Sequence, residues 1–367
     1  MKKLIFSGYY GQSNMGDDAF GIVAVWGAKK YWNSKASLLS SKGPINKKIT
    51  INYELPKKQY FRGEFLFRTI KKLLISDMCI LAGGSVLHTQ HKMLTINGLI
   101  FLFAKIGLCK VGAIGVSIGP FKTEEDYIYI KKQLTKFKFL VLRDKKSYDI
   151  AVSMELPYKP ILASDLAFLL PELHLSEKLQ KSKNKILGIS LCHYERYTDG
   201  NIKNEVRRES LILEVLQEVI KTLNVKLRFF IINGHNSLGD EEFIMKTIAK
   251  LSLSKKEYEV INYSPNTLSM LDKIVECDTV FTTRLHGAIF AAAMNIPSLL
   301  VEYHEKCSDY LDDIGLEDDW RIGDMEIPPL LIKEKILVLL EKKQQCFYPN
   351  REHLMVRSKN NFLKVEV

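Results

Sequence analysis

The segment best suited to binding or catalysis places a histidine two residues after an arginine. Arg284, His286 and Gly287 follow the apolar run 277–283 and precede the alanine-rich stretch 288–293. Arginine binds carboxylate or phosphate through paired hydrogen bonds, and histidine exchanges protons near neutral pH. If residues 284–286 are extended, both side chains point the same way, and the following helix adds free N–H groups. The segment predicts an anion site, with an ordinary helix cap or surface pair as the alternative.

The loop GYYGQSNMGDD, residues 8–18, follows an apolar run and leads into a predicted helix. It lacks both a Gly-Lys-Ser/Thr sequence and the GxGxxG spacing, so it is a poor candidate for nucleotide phosphates. Its two aspartates are better placed to cap the helix and interact favourably with its dipole than to bind a phosphate. The carboxylate of Asp17 and the amide of Asn14 suit sugar hydroxyls. We therefore predict that this loop, with Gly11 and Gly16, forms a wall for a sugar acceptor.

Two further glycine-rich segments follow apolar runs, AGGSVLHT at 82–89 and GVSIGPF at 115–121. In parallel sheets the carboxyl ends of the strands share one edge, so these segments and the first loop are expected on one rim. Each could be only a tight turn, but three together favour a site. Gly83, Gly84 and Ser85 are assigned to the same acceptor wall.

Short apolar runs alternate with helical patterns along the whole chain. This alternation predicts the α/β class, with parallel sheets covered by helices on both faces. The series restarts after the polar, lysine-rich stretch 171–185, which indicates two tandem Rossmann-like domains facing a cleft, similar to the GT-B architecture. The predicted divisions are an N-terminal α/β domain at 1–172, a linker at 173–184, a C-terminal α/β domain at 185–329, and a C-terminal helix and tail at 330–367.

Composition narrows the class of protein. A chain of 367 residues is too long for one compact core, and its 46% apolar and 26% charged residues are an ordinary composition for a soluble globular protein. The formal charge of +11 favours anionic partners or reflects a basic background. Six scattered cysteines argue against a disulfide framework or a zinc site and suit a reducing cytosol. The apolar segment 96–109 contains Lys105 and is too short to span a bilayer, and the apolar start is too short for a signal peptide.

Taken together, these segments resemble the polysaccharide pyruvyl transferase family. The order of the motifs follows that family over about residues 3–310, which is more specific than any single motif. Ala82 stands where the family often has a third glycine. The matching motifs are G-Y-x-G-x-x-N-x-G-D-D-A at 8–19, GGS at 83–85, G-x-S-I-G-P at 115–120, RDKKS at 143–147, SDLAF at 164–168, RLHG at 284–287 and Y-x-x-K at 303–306.

The resemblance implies pyruvyl transfer from phosphoenolpyruvate to a sugar of a cell-surface polysaccharide or its lipid-linked precursor. The product is a pyruvate ketal, and phosphate is released. The implied localisation is cytoplasmic, with possible peripheral contact at the inner face of the cell membrane. Phosphoenolpyruvate enters as donor substrate, and no cofactor and no metal are expected, since the acidic residues do not cluster with ligand spacing.

The resemblance also suggests roles for individual residues. Arg284 is expected to clamp the donor anion with Gly287 beside it, and His286 to act as the acid or as an anion contact. Arg143 is a second anion ligand, with a salt bridge to the neighbouring Asp144 as the alternative. Lys306 could neutralise phosphate, with an exposed lysine as the alternative. For His88 a capping or surface role competes with donor binding.

Two other function classes stay open. A GT-B-like glycosyltransferase would use the same cleft with a nucleotide sugar as donor. A non-catalytic protein that binds anions or nucleic acid ranks third, because the basic residues are dispersed; no nucleic acid is expected as partner. The oligomeric state is left open. The basic stretch at 60–75 could touch an acidic membrane, although a core-packing helix with a solvated lysine face is the preferred interpretation.

Overall fold

The computed structural model describes residues 1–174, 184–198, 200–324, 328–341 and 347–367. Within these ranges, parallel strands alternate with helices. The strands are β1 (Lys3–Ser7), β2 (Lys35–Leu38), β3 (Met78–Leu87), β4 (Lys110–Ile118), β5 (Leu140–Leu142), β6 (Ile161–Leu162), β7 (Ile186–Ser190), β8 (Lys226–Phe230), β9 (Tyr258–Ile261), β10 (Thr279–Thr282), β11 (Ser298–Glu302) and β12 (Ile322–Gly323). The α-helices are α1 (Met15–Trp32), α2 (Glu64–Ile75), α3 (Ile96–Ile106), α4 (Glu124–Leu134), α5 (Lys145–Ser153), α6 (Leu170–Leu173), α7 (Ile202–Thr222), α8 (Glu241–Leu251), α9 (Thr267–Val275), α10 (Leu285–Ala293), α11 (Glu305–Ile314), α12 (Pro329–Glu341), α13 (Arg351–Ser358) and α14 (Asn360–Leu363).

The strands form two six-stranded sheets, in the orders β2-β1-β3-β4-β5-β6 and β12-β11-β10-β7-β8-β9. All the pairings between these strands are parallel, which confirms the predicted α/β class. In each sheet the chain starts inside and builds outward first to one side and then to the other. The direction reverses between β1 and β3 and between β7 and β10, and such switch points open a crevice at the carboxyl edge of a sheet.

The two later glycine segments are not turns but continue the strands before them. Gly83 and Gly84 lie inside β3, with φ of +76° and +79°, and the pairing of β3 with β4 shifts register after Gly84. Gly115 lies inside β4 with φ of +60°, next to a second register shift. Positive φ is costly for residues with a Cβ atom, so glycine allows both strands to bulge without ending. The expected position at the carboxyl edge of the sheet is correct, but the expected turns are wrong.

Two clusters of buried apolar side chains hold the chain together. One covers the face of the first sheet that carries α2, α3 and α4. The other runs from the opposite face of that sheet, through α1 and the 3-10 turn Leu166–Leu169, into the second sheet and its helices. Because this second cluster is continuous, the two units share part of their core.

The C-terminal segment packs on both units. Helix α12 lies against α7 of the second unit, whereas α13 packs on the 3-10 turn Leu166–Leu169 and α14 packs on α1 of the first unit. The Trp32 indole N–H donates to the Phe362 carbonyl at 2.8 Å. Most of the expected linker at 173–184 lies outside the described residues, and the boundaries between the four divisions stay predictions.

The five cysteines within the described ranges are free and buried, and Cys346 lies outside them. Among the helices of the described ranges, none combines the length and apolar character needed to cross a membrane.

Candidate functional site

The carboxyl edges of the two sheets face each other and are bonded together through the first loop. Asn14 forms an isolated antiparallel bridge with Asn233, which follows β8. The Met15 N–H donates to the Ile232 carbonyl at 3.0 Å, and the Gly234 N–H donates to the Ser13 carbonyl at 2.8 Å. The predicted acceptor loop is therefore held by the second unit over part of its length.

Asn14 and Asp18 hold the first loop in shape. The Asn14 side chain caps α1 by accepting from the Gly16 N–H at 3.1 Å. The fully buried Asp18 accepts from the Gly11 N–H at 2.8 Å and from the Tyr263 hydroxyl of the second unit at 2.5 Å. The Gly11 N–H and the Asn14 side-chain oxygen thus already bond within the protein, and the sugar contacts of these two residues stay predictions.

Asp17 differs from its neighbour because none of the described residues donates a hydrogen bond to its carboxylate. Burial and the nearby Asp18 raise the pKa of Asp17 from 3.8 to about 7, against the opposing charges of Arg143 and Arg284. A Cβ atom added to Gly84 would meet only the Asp17 carboxylate, at 3.6 Å. The glycine in β3 therefore leaves space directly beside a carboxyl group that exchanges its proton near neutral pH.

Gly83 has a different role from Gly84. A Cβ atom there would come within 2.2 Å of the Phe20 ring, so Gly83 lets α1 approach β3 closely. Its predicted role as an acceptor contact is replaced by this packing role, since the space beside it is filled.

Arg284 precedes α10 as its N-cap residue, with extended φ and ψ of −89° and 122°. Its guanidinium forms an ion pair with the fully buried Asp240. Although burial opposes it, the Asp240 carboxylate raises the pKa of Arg284 above its ordinary value. The Nε atom of Arg284 is buried and has no hydrogen-bond partner in the described structure. Arg284 therefore keeps an unused donor at a helix start where no side chain caps the free N–H groups.

His286 lies in helix α10 and does not share the extended geometry of Arg284, so the expected period-two arrangement of these two side chains is wrong. The helix begins at Leu285, and successive helical residues diverge instead of alternating with period two. The His286 ring packs on Gly16, where a Cβ atom would come within 2.5 Å of the ring. Its centroid lies 5.5 Å from that of Phe20 and 5.7 Å from that of Phe290.

The His286 imidazole is neutral at neutral pH. Burial lowers its pKa to about 4; Asp165 opposes this shift, and the positive charges of Arg143 and Arg284 add to it. Its Nε2 atom is buried without a hydrogen-bond partner among the described residues. His286 therefore presents an unprotonated ring with an unpaired nitrogen, buried where Gly16 and Phe20 of the first unit meet Phe290 of the second.

Arg143 is bonded to a different acid from the one considered from sequence. Its NH1 donates to Asp165 at 2.8 Å, and its Nε donates to the Ser117 hydroxyl at 2.8 Å. Asp144 instead accepts from Ser117 at 2.6 Å and caps α5 through the Ser147 N–H at 2.7 Å. The alternative of an Arg143–Asp144 salt bridge is wrong, since the two side chains of these neighbours diverge at the end of β5.

Lys306 reaches across the cleft, and the alternative of a simply exposed lysine is wrong. Its Nζ donates to the Ser85 hydroxyl of β3 at 3.1 Å, so a predicted donor residue meets a predicted acceptor residue. Burial lowers the pKa of Lys306, and the charge of Arg143 lowers it further. The His88 ring lies nearby: burial lowers its pKa, Lys306 contributes, and its Nδ1 is buried without a partner in the described chain. No described helix begins beside His88, which follows β3, so it is not a helix cap, and its contact with the donor stays a prediction.

Gly287 belongs to the packing of the second unit. Its N–H donates to the Arg284 carbonyl at 2.9 Å, and a Cβ atom would come within 2.6 Å of the Thr282 hydroxyl. The prediction that Gly287 binds the donor anion is not supported, because its N–H is already bonded and its free side faces β10.

A cavity of about 450 Å³ opens between the units beside these residues. Its size is typical of sites for small ligands. Arg143 and Lys306 line it together with Asp165, Tyr303 and Leu285, whereas Arg284 and His286 are not among its lining residues. Arg143 and Asp165 follow β5 and β6 of the first unit, whereas Leu285 begins α10, Tyr303 follows β11 and Lys306 lies in α11 of the second.

Asp240, Asp165 and Tyr263 are the functional neighbours that sequence reasoning missed or left without a role. Each follows the carboxyl end of a strand: Asp240 after β8, Asp165 after β6 and Tyr263 after β9. That position was the available signal, because parallel strands deliver such residues to the same edge.

One group in the described ranges has ligand types suited to a metal ion: His193, Glu205 and Glu209, whose ligand atoms lie within 4.8 Å of one another. Arg196 already forms ion pairs with both glutamates. A guanidinium therefore supplies the positive charge there, and the expectation of no metal stays a prediction.

Comparison with known proteins identifies the family and the fold. The model of the family described as polysaccharide pyruvyl transferase matches residues 14–305. No curated protein matches the chain.

Among solved structures, the chain is similar to a UDP-N-acetylglucosamine 2-epimerase from Listeria monocytogenes, with a TM-score of 0.61, 11% identity, and coverage of 97% of this chain and 91% of that one. MnaA of S. aureus in a co-structure with UDP has a TM-score of 0.61, 13% identity, and coverage of 99% and 92%. A UDP-GlcNAc 2-epimerase from Methanocaldococcus jannaschii has a TM-score of 0.60, 12% identity, and coverage of 94% and 93%. At these identities the likeness shows the fold alone, and it confirms two Rossmann-like domains in a GT-B arrangement.

Proposed function

The chain belongs to the polysaccharide pyruvyl transferase family, and on that premise we propose that it transfers the pyruvyl group of phosphoenolpyruvate to a sugar. The acceptor belongs to a cell-surface polysaccharide or its lipid-linked precursor, and two of its hydroxyls become bridged by a pyruvate ketal. The observation that carries this proposal is that Arg143 and Lys306 line one cavity, with Arg284 next in the chain to its lining residue Leu285. Phosphoenolpyruvate is small and bears both a carboxylate and a phosphate, so it requires several cations within a short distance.

Each of these cations has unused capacity for the donor. Arg284 holds an unpartnered, buried Nε next to the uncapped start of α10. Among the described residues, the Lys306 ammonium donates only to Ser85, and an ammonium group has three donors. Arg143 directs Nε and NH1 to protein partners, and its guanidinium carries five N–H groups. Donor binding also compensates the mutual repulsion between Arg143 and Lys306, because an anion would lie between them.

The reaction balances without a further reactant. A proton adds to the methylene carbon of phosphoenolpyruvate, and the adjacent carbon becomes electron-poor. A sugar hydroxyl oxygen forms a C–O bond to that carbon and loses its proton. The C–O bond to phosphate then breaks, and the second hydroxyl forms the second C–O bond. Of the two hydroxyl protons, one is carried by the new methyl group and one by the released phosphate.

Asp17 and His286 have the protonation states that this sequence needs. The pKa of Asp17 is raised to about 7 and that of His286 is lowered to about 4. Between these values the carboxyl group is protonated and the imidazole is neutral. Two groups whose pKa values are pushed apart are candidates for the acid and the base. We assign proton donation to Asp17 and removal of hydroxyl protons to His286, in place of the acid role first considered for His286.

The test is phosphate release from phosphoenolpyruvate in the presence of a panel of sugars, with mass spectrometry of the sugar product. With an active acceptor, kcat/KM is expected to rise above about pH 4 and to fall above about pH 7. The residual activity of Asp17→Asn is expected to lack the fall in kcat/KM above about pH 7. Phosphate release without a pyruvylated sugar would contradict the transfer, and a limb near pH 7 that persists in Asp17→Asn would contradict the acid assignment.

A further inference from the structure

The start of α2 and the loop before α3 expose large apolar side chains at one edge of the first unit. Helices α2 and α3 pack against each other and lead into the neighbouring parallel strands β3 and β4. Both helices therefore begin at the carboxyl edge of the sheet, which is the edge that forms the cleft. The exposed fractions there are 86% for Tyr60, 54% for Phe61, 60% for Phe67, 62% for Met93 and 70% for Leu94, and we name these five residues the rim patch.

The exposure of the rim patch is not explained by a missing fold contact. Helix α2 already buries Thr69 and Leu73 on its inner face and packs Ile70 against the core. Phe61 and Phe67 lie on the outer side, with ring centroids 6.4 Å apart, and both remain more than half exposed. The preferred sequence interpretation of a core-packing helix holds for one face only. Grouped apolar side chains on a surface indicate a binding partner.

The charges around the rim patch define the chemistry of that partner. Exposed basic side chains flank its members along the chain, and Glu64 is the single acidic residue in the segment 57–75. Glu64 is buried and forms an ion pair with Arg68, so it does not offset the other basic charges. The exposed basic residues are Lys57, Lys58, Arg62, Arg68, Lys71 and Lys92. A second copy of this chain would bring like charges together, whereas an anionic partner would neutralise them.

We propose that the rim patch docks on the anionic surface of a lipid bilayer. Aromatic and aliphatic side chains insert between the lipid headgroups, and lysine and arginine contact the phosphates. The docking itself does not depend on the reaction. Its consequence for catalysis rests on the proposed function, because the patch lies at the edge of the sheet that carries Asp17 and Gly84. A lipid-linked acceptor could then enter the cleft directly from the membrane surface.

The experiment is flotation of the full chain with vesicles of mixed phosphatidylglycerol and phosphatidylcholine, compared with phosphatidylcholine alone. The variant is Phe61→Ser with Phe67→Ser, which changes exposed side chains only. The matched control is Val356→Ser with Leu363→Ser, because these residues are 65% and 60% exposed and lie on α13 and α14. Helices α13 and α14 pack on the other face of the first sheet.

Binding to the mixed vesicles is expected to fall on the order of tenfold for each phenylalanine removed, and the control variant is expected to bind like the unchanged chain. Removing Arg62 or Lys92 is expected to weaken binding roughly fivefold each, and added salt is expected to weaken it further. Equal binding to neutral vesicles, or binding unaffected by the two serine substitutions, would overturn the proposal. A self-associating chain that becomes monomeric in this variant and ignores vesicles would assign the patch to self-association and overturn it as well.

Turnover of a water-soluble acceptor separates this proposal from the proposed function. The Phe61→Ser, Phe67→Ser variant is expected to keep that turnover while its binding to the vesicles is lost. Vesicle binding without pyruvyl transfer by the unchanged chain would leave the docking intact and contradict the reaction instead.

Discussion

Replacing Asp17 by asparagine is expected to stabilise the protein while removing its activity. The pKa of Asp17 is raised from 3.8 to about 7 in the folded chain, chiefly by burial and then by Asp18. Between about pH 4 and pH 7 the folded state therefore binds more protons than the unfolded state, and stability falls as the pH rises through this window. Above about pH 7 the full cost is present. A pKa rise of this size corresponds to about 4 kcal/mol, which is an upper value for the gain.

Asparagine has the shape of aspartate but no charge, so it removes this cost without opening a cavity. Urea denaturation at about pH 8 is expected to show a higher free energy of unfolding for Asp17→Asn than for the unchanged chain. At about pH 5 the gain is expected to be less than half as large, because the aspartate is then protonated in the folded state. The rate of pyruvyl transfer is expected to fall at least about a hundredfold, since the proton donor is lost.

The adjacent Asp18 provides the matched control. Its carboxylate accepts hydrogen bonds from the Gly11 N–H and from the Tyr263 hydroxyl, so Asp18→Asn is expected to destabilise the chain. If Asp17→Asn lowers the free energy of unfolding at about pH 8, or raises it equally at both pH values, the raised pKa of Asp17 and its role as proton donor are wrong.

The remaining predictions concern the cations and the packing of the histidine. Arg284→Ala is expected to cost about 3–5 kcal/mol of stability by leaving the buried Asp240 unpaired. Adding Asp240→Asn should recover much of that stability in urea denaturation without recovering phosphoenolpyruvate binding; recovered binding would contradict the role of Arg284 as a donor contact. Lys306→Ala is expected to raise KM for phosphoenolpyruvate about tenfold to a hundredfold, and an unchanged KM would exclude a donor contact. Gly16→Ala places a Cβ atom 2.5 Å from the His286 ring, so kcat should fall while equilibrium binding of phosphoenolpyruvate changes little; an unchanged kcat would contradict the role of that ring.

The sequence was sufficient to predict the central strands of the two sheets but not most of their edge strands. Apolar strands such as β1 and β10 have a pattern that identifies them without any tertiary information. The edge strands β2, β6 and β12 are two to four residues long and were not predicted. None of these three lies in an apolar run as clear as that around β10, and each is defined by hydrogen bonds to its neighbour.

The ends of the predicted strands indicated where the candidate site lies, but the ion pairs between its residues were not predictable from the sequence. Arg284 and Asp240 are 44 positions apart, and their ion pair depends on how β10 and β8 flank β7 in the sheet. The direction of His286 depended on whether the helix begins one residue earlier or later, which a sequence pattern does not determine. The raised pKa of Asp17 likewise depends on burial by residues far along the chain.

The donor is the central claim, and thermal stability measured with candidate donors tests it most directly. The purified chain is heated with phosphoenolpyruvate or with UDP, GDP or CMP sugars at equal concentration, and Lys306→Ala is measured beside it. A ligand at about 100 times its dissociation constant adds roughly 2.7 kcal/mol, which raises the melting temperature measurably. We expect phosphoenolpyruvate alone to raise it, with a smaller rise in Lys306→Ala. A rise with a nucleotide sugar and none with phosphoenolpyruvate would contradict pyruvyl transfer and favour a glycosyltransferase.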